Sequence, residues 1–271
     1  MISACSSSVA APAEPRPAGS RCSGQEIGGR VESVEETGGT FRLSGGETVR
    51  LADIRLAEGE ARSRARAVLA SFVGRELRGR AGPADRWGVR TAPALATADD
   101  GLAIAELLVA EGYAWVDPGE ADTLCNPLLA VEAKARQGRL GIWREGGVVD
   151  GTDAGAVAGR IGHFAIVEGR IVSVGERPTR TYLNMGRAGS GALTITLSKR
   201  RWAEWRQARG GSDTVRGRRV RVRGLIEPWR SPTLDVSVIE TLELLAEEPL
   251  TEKPLAETPP RPAGSGRPTA P

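Results

Sequence analysis

Pairs of glycines set between short runs of alternating apolar residues dominate positions 31–58, VESVEETGGTFRLSGGETVRLADIRLAE. Glycine reaches positive φ without steric cost, so Gly pairs at this spacing close tight hairpins. The stretch therefore predicts three short strands. Val31 and Val34 lead into a turn at Thr37-Gly38-Gly39, and Thr40 to Leu43 is the second strand. Ser44-Gly45-Gly46 turns the chain again into a third strand, Thr48 to Ile54. Phe41 and Leu43 share one face, as do Val49 and Leu51, which is the period of two that a strand requires.

Length and composition narrow the possibilities. At 271 residues the chain has room for two small domains with tails. A net charge of +3 and a pI near 9.0 are compatible with a nucleic-acid partner without identifying one. Three cysteines are too few for a Cys-rich metal domain, and the single His163 excludes a His-based zinc site or catalytic triad. No apolar run reaches the roughly 20 residues of a membrane span.

Residues 1–24 are Ser/Ala/Pro-rich and read as a disordered leader without the basic and apolar regions of a signal peptide. Ile2-Ser3-Ala4-Cys5 nonetheless resembles a bacterial lipoprotein cleavage box. Two placements stay open. One is a periplasmic, cell-envelope or secreted protein, lipid-anchored at Cys5 if the true start lies upstream. The other is a cytoplasmic protein. In the exported case Cys22 and Cys125 are expected to form a disulfide that closes a long loop. In the cytoplasm they are plain thiols.

Farther along, Ala65, Val68, Leu69, Phe72 and Val73 recur at helical spacing, predicting a helix over Glu60 to Leu77. Further helices are expected over Leu102 to Glu111 and Leu128 to Arg139, with a strand at Gly112 to Val116 between them. Residues 147–160 are Gly/Asp/Ala-rich and read as a linker. A second domain over 161–245 follows. Its order is strands at Phe164–Val174, Thr181–Gly186 and Ala192–Leu197, a helix at Lys199–Arg209, then strands at Arg218–Ile226 and Leu234–Leu244. That is the order of an OB-fold barrel. Residues 246–271 are Pro/Thr/Glu-rich and read as an unstructured tail.

Several of these pieces carry a family resemblance. Val49-Arg50-Leu51-Ala52-Asp53-Ile54-Arg55-Leu56-Ala57-Glu58 resembles the VRLAGIDAPE segment of staphylococcal-nuclease-like (thermonuclease) domains. Thr37-Gly38-Gly39-Thr40 is similar to that family's DGDT turn, and Asp85-Arg86-Trp87-Gly88-Val89-Arg90 to its D-[KR]-[YW]-G-R. Gly112-Tyr113-Ala114-Trp115-Val116 and Gly138 to Trp143 match later motifs. The resemblance spans about residues 28–145 and implies an α+β, mainly β fold. The expected architecture is a nuclease-type OB-fold β-barrel with three helices over 25–146, followed by a second, small OB-like β-barrel.

The same resemblance implies calcium-dependent hydrolysis of nucleic-acid phosphodiesters, with Arg50 and Glu58 as catalytic groups. The departures fall on the metal. Gly39 and Arg55 stand where two calcium-binding Asp residues are expected, and Val89 stands where a second catalytic Arg is expected, followed by Arg90. Calcium takes six to eight oxygens, usually several of them carboxylates. Asp53 is the candidate for a rescued site, with Glu35 or Glu36 swinging in. Otherwise Arg50 and Glu58 form an ion pair that holds the strand end to the next helix, and Arg55 binds phosphate directly through its bidentate fork.

In the second domain Arg219, Arg221 and Arg223 alternate with valines, so they project from one face. Together with Trp202, Trp205, Trp229 and Tyr182 they would form a basic, aromatic surface for single-stranded DNA or RNA; the alternative is a solvated, charged barrel exterior with tryptophans plugging its ends. The expectation is a degenerate nuclease that binds nucleic acid. Its alternatives are an active phosphodiesterase with a rearranged metal site and a non-catalytic interaction module of the cell envelope.

Overall fold

A computed structural model describes residues 24–35, 39–119, 127–144 and 146–246. Cys5, Cys22, Cys125, Glu36 and the Thr37-Gly38 turn lie outside the described residues, and so does the expected disulfide. Within them the protein is a mixed α/β structure of several sheets with six α-helices.

The first unit opens with three strands that form a meander, β1 (Gln25–Glu35), β2 (Thr40–Leu43) and β3 (Thr48–Leu51). Then come β4 (Ile54–Leu56), α1 (Gly59–Ala70), β5 (Glu76–Ala81), β6 (Val89–Ala92), β7 (Ala96–Thr97), α2 (Ile104–Ala110), β8 (Ala114–Val116) and α3 (Leu128–Gln137). Six of the strands make one sheet in the order β6-β3-β2-β1-β5-β7, while β4 pairs with β8. Phe41, Leu43, Val49 and Leu51 are buried together on the inner face. The alternation expected of the meander is therefore realised residue by residue.

Helix α1 stops at Ala70 instead of continuing to Leu77. Gly74 adopts φ 85 and its N–H donates to Val31 O at 2.9 Å, which reverses the chain. Leu77 then joins β5, opposite Gly29 of β1. Its helical spacing with Phe72 is outweighed by the backbone hydrogen bonds of an open sheet edge. Phe72 keeps its place in the core, edge-on to Phe41 at 6.4 Å.

The stretch expected as a linker is folded into the second unit. In it, β9 (Val149–Asp150) pairs in parallel with β10 (Phe164–Arg170). Asp153 caps α4 (Ala154–Ala158) by accepting from Gly155 and Ala156 N–H, and Val157 is fully buried. There follow β11 (Ser173–Glu176), β12 (Arg180–Asn184), β13 (Thr194–Ser198), α5 (Lys199–Arg209), α6 (Ser212–Val215), β14 (Arg219–Pro228), β15 (Pro232–Asp235) and β16 (Leu242–Leu244). The sheet runs β11-β12-β13-β15-β14-β10-β9, with β16 on the free length of β14. Among the described residues no helix is long and apolar enough to cross a membrane.

The two units share apolar contacts. Val238, from the second, is fully buried in the core of the first. Trp143 and Ala135 pack with Phe164 and Ile166 in a separate junction cluster. Through this junction runs a buried ion pair. Glu132 of α3 has no exposed side-chain surface, and Arg223 of β14 is 1 % exposed. Glu132 accepts from Arg223 and from Val116 N–H at 2.9 Å, while Arg223 also donates to Glu243 at 2.9 Å.

Removing Glu132 leaves Arg223 buried with Glu243 as its remaining carboxylate and strips Val116 N–H of its acceptor; breaking a buried pair costs about 3–5 kcal/mol. Glu132→Ala is accordingly expected to lower the urea-unfolding free energy by about that amount. The double change Glu132→Leu with Arg223→Met is expected to recover part of the loss, because Arg223 is no longer a buried charge while Val116 N–H still lacks its acceptor.

Candidate nucleic-acid interface

Alternation along β14 does place Arg219, Arg221 and Arg223 on one face, but each meets a carboxylate. Arg219 pairs with Glu168 at 2.9 Å, and Arg221 with Glu168 at 2.6 Å and Glu243 at 3.3 Å. Arg223 is enclosed by Glu132 and Glu243. Strand register supplies these partners. Glu168 of β10 and Glu243 of β16 both stand directly opposite Arg221. Three guanidiniums thus face three carboxylates, and the expected basic stripe is a neutralised, largely internal ladder. Phosphate recognition by Arg221 and Arg223 is corrected accordingly.

The aromatic expectations divide. Trp202 and Trp205 are buried in the second core and offer no platform. Tyr182 and Trp229 come together instead, with ring centroids 6.5 Å apart and planes 19° apart. Trp229 is 61 % exposed, so one flat apolar surface of the pair is open to solvent. Around them β12 and β13 present hydroxyl and amide groups. Asn184 bonds Ser173 and Thr194, and Thr194 bonds Ser231.

The residues expected around a metal are scattered. The Gly39 carbonyl accepts from Leu51 N–H at 3.0 Å, inside the sheet. Arg55 pairs with Asp117 at 2.8 Å and lies over the Phe164 ring at 5.2 Å, so its charge is engaged at the junction. Asp53 is buried at the bend between β3 and β4, with φ 60. Glu35 lies on the outer face of β1, across β2 from Arg50. Among the described residues no three carboxylate, His or Cys groups converge on a point. These residues do not fit a calcium ion, and Arg55 would repel one.

The alternative of an Arg50–Glu58 ion pair also fails. Among the described residues Glu58 has no hydrogen-bond or ion-pair partner, and it lines a groove at the junction that Arg50 does not reach. Arg90 does not replace the missing second arginine. Strand β6 runs parallel to β3 without a bulge, so Thr91 lies opposite Arg50 and Arg90 opposite the core residue Val49. A one-residue offset turns a side chain to the other face. There Arg90 is held by Glu47 at 3.0 Å, Gln25 at 2.9 Å and the Gly82 carbonyl at 3.0 Å.

What remains on the outer face of β2, β3 and β6 is a set of open guanidiniums. Arg42 and Arg50 occupy diagonal positions across β2 and β3, a relation with Cα spacing of about 7–8 Å. Among the described residues neither forms an ion pair, and Arg50 has only a long 3.5 Å contact to Thr91 Oγ1. The hairpin between β5 and β6 adds Arg86, whose guanidinium lies 3.9 Å from the centroid of the Trp87 ring. Trp87 is 71 % exposed. Arg42 was not singled out from sequence, yet it alternates with Phe41 and Leu43 as Arg50 does with Val49 and Leu51.

Asp85 shapes that hairpin. Its carboxylate accepts from the N–H groups of Val89 and Trp87, both at 2.9 Å. The Val89 N–H above all, then that of Trp87 and the charges of Arg50 and Arg86, hold its pKa below the ordinary value. A depressed folded-state pKa means the tie is present above the ordinary carboxylate range. It is lost as pH falls through the folded value. The Trp87 indole resonance is therefore expected to move toward its unfolded position in acid below that range. In Asp85→Ala it should be displaced already at neutral pH.

A scan against protein-family models returns no match, and a search of curated proteins returns none either.

Proposed function

We propose that this chain is a staphylococcal-nuclease-like unit followed by an OB-like unit, and that it binds single-stranded nucleic acid without calcium-dependent hydrolysis. The observation that carries this reading is the outer face of β2, β3 and β6. Arg42, Arg50 and Arg86 form no ion pair there among the described residues, with Asp85 acting on Arg50 and Arg86 only through space, and Arg86 lies over an exposed Trp87. Unpaired guanidiniums offer bidentate donors to phosphate, and an exposed indole offers a stacking face for a base.

The order of strands and helices supports the family assignment. The first unit carries a meander, then α1, α2, β8 and α3, as the resemblance implies. In the second, three paired strand segments precede α5 and β14 follows it, which is compatible with an OB-like barrel. The Tyr182–Trp229 pair is a second stacking surface for the same strand. Loss of hydrolysis follows from the ligand set. With Gly39 and Arg55 at the two metal positions, the carboxylates that would polarise a phosphate through calcium are missing.

The test is incubation of the purified chain with single-stranded DNA and calcium, alongside fluorescence anisotropy over a salt series. Expected is intact DNA with binding that weakens steeply with salt. Replacing Arg42 and Arg50 together with Ala should reduce the log–log salt slope by about 0.7 for each phosphate no longer neutralised. Trp87→Ala should weaken binding by about 1–3 kcal/mol. Degradation that disappears in Arg50→Ala would replace this reading with a working nuclease. Absence of both binding and degradation would leave the interaction module of the cell envelope.

A further inference from the structure

At the junction of the two units lies an open groove of about 610 Å³, within the range of small-ligand sites. It is separate from the strand-binding face, and none of Arg42, Arg50 or Trp87 lines it. One wall comes from the first unit, with Glu111 at the end of α2, Tyr113 and Trp115 around β8, and Arg144 after the Gly141–Trp143 turn of 3₁₀ helix. The opposite wall comes from the second unit, with Arg160 after α4 and Phe164 at the start of β10.

The charges in this groove are unevenly used. Arg64 is already engaged by Glu60 at 2.7 Å. Arg144 and Arg160 are exposed and form no ion pair among the described residues. Glu111 is exposed and also has no partner among them. The Phe164 ring is shared between Trp115, 5.7 Å away, and the guanidinium of Arg55. Tyr113 and the outer side of Trp115 therefore provide the aromatic lining open to a ligand. Arg144 and Arg160, which form no ion pair among the described residues although Arg144 also acts on Glu60 through space, offer donors to an anion; a flat aromatic wall selects a ring, and the unpaired carboxylates Glu58 and Glu111 select hydroxyl or amine donors.

We propose that the groove binds a nucleoside monophosphate. Arg144 and Arg160 hold the phosphate, Tyr113 and Trp115 face the base, and Glu111 accepts from the sugar. Because the two arginines come from different units, the bound nucleotide bridges them.

Calorimetric titration of the full chain with adenosine 5′-monophosphate, adenosine and inorganic phosphate tests this. Expected is saturable one-site binding of the nucleotide, at least about tenfold tighter than either fragment. The double variant Arg144→Ala with Arg160→Ala should lose at least about tenfold in affinity while melting as the unaltered chain does. If it melts early, Arg160→Gln alone serves, and the same direction of change is required. The Trp115 indole resonance, assigned with Trp115→Phe, should shift on nucleotide addition and not on phosphate addition. Phosphate binding as tightly as the nucleotide, an unaltered affinity in the arginine variants, or no saturable binding would each overturn the proposal. Strand binding is read with a different ligand and different variants, so failure of one reading does not imply failure of the other.

Discussion

The contact between Glu132 and Arg223 lies buried in the seam between the two units. It joins α3 to β14 across the junction, at positions with almost no exposed side-chain surface. A carboxylate and a guanidinium removed from water are tolerated best when most of their remaining donors and acceptors are occupied. Here Val116 N–H also donates to Glu132 and Glu243 also accepts from Arg223, while Arg223 Nε stays buried without a hydrogen-bond partner among the described residues. The apolar neighbours Trp143, Phe164, Ile166 and Val238 add area to the same seam. Neither unit could be separated without exposing these groups. The groove, with lining residues on both sides, exists only because the seam is closed.

That seam also sorts the arginines by use. On β14, strand register sets Glu168 and Glu243 opposite Arg221, and Arg219 and Arg223 reach the same two carboxylates and Glu132 of α3, so these arginines serve mainly as structure. Arg55 is held by Asp117 and Phe164, and Arg90 by Glu47 and Gln25. Arg42, Arg50 and Arg86 are left facing solvent beside Trp87. A small net positive charge conceals this division, since it does not say which basic residues meet carboxylates. Phosphate affinity depends on the uncompensated ones, because a paired guanidinium must first give up its carboxylate.

Much of the fold was legible in the chain. The Gly pairs and alternating apolar residues of 31–58 became the β1–β2–β3 meander, with Phe41, Leu43, Val49 and Leu51 buried as their period requires. Helices α2, α3 and α5 lie within the stretches expected for them from the sequence. Leu77 was misplaced, because helical spacing cannot register the pull of an unpaired sheet edge. The stretch 147–160 looked like a linker because its composition is that of a loop, yet Val157 finds a core to enter. For the site, Arg50 and the Tyr182–Trp229 pair were named from sequence, whereas the partners of Arg219, Arg221 and Arg223 were not. Glu132 is 91 positions from Arg223, and Glu168 is 53 from Arg221.

By itself the chain determined the local pattern: where strands turn and which residues of each strand face inward. These follow from φ tolerance and side-chain period, both of which are local. Only the tertiary structure decided which arginines are free. Charge compensation depends on what lies opposite in space, and here that is set by sheet register and by a junction between residues far apart in the chain.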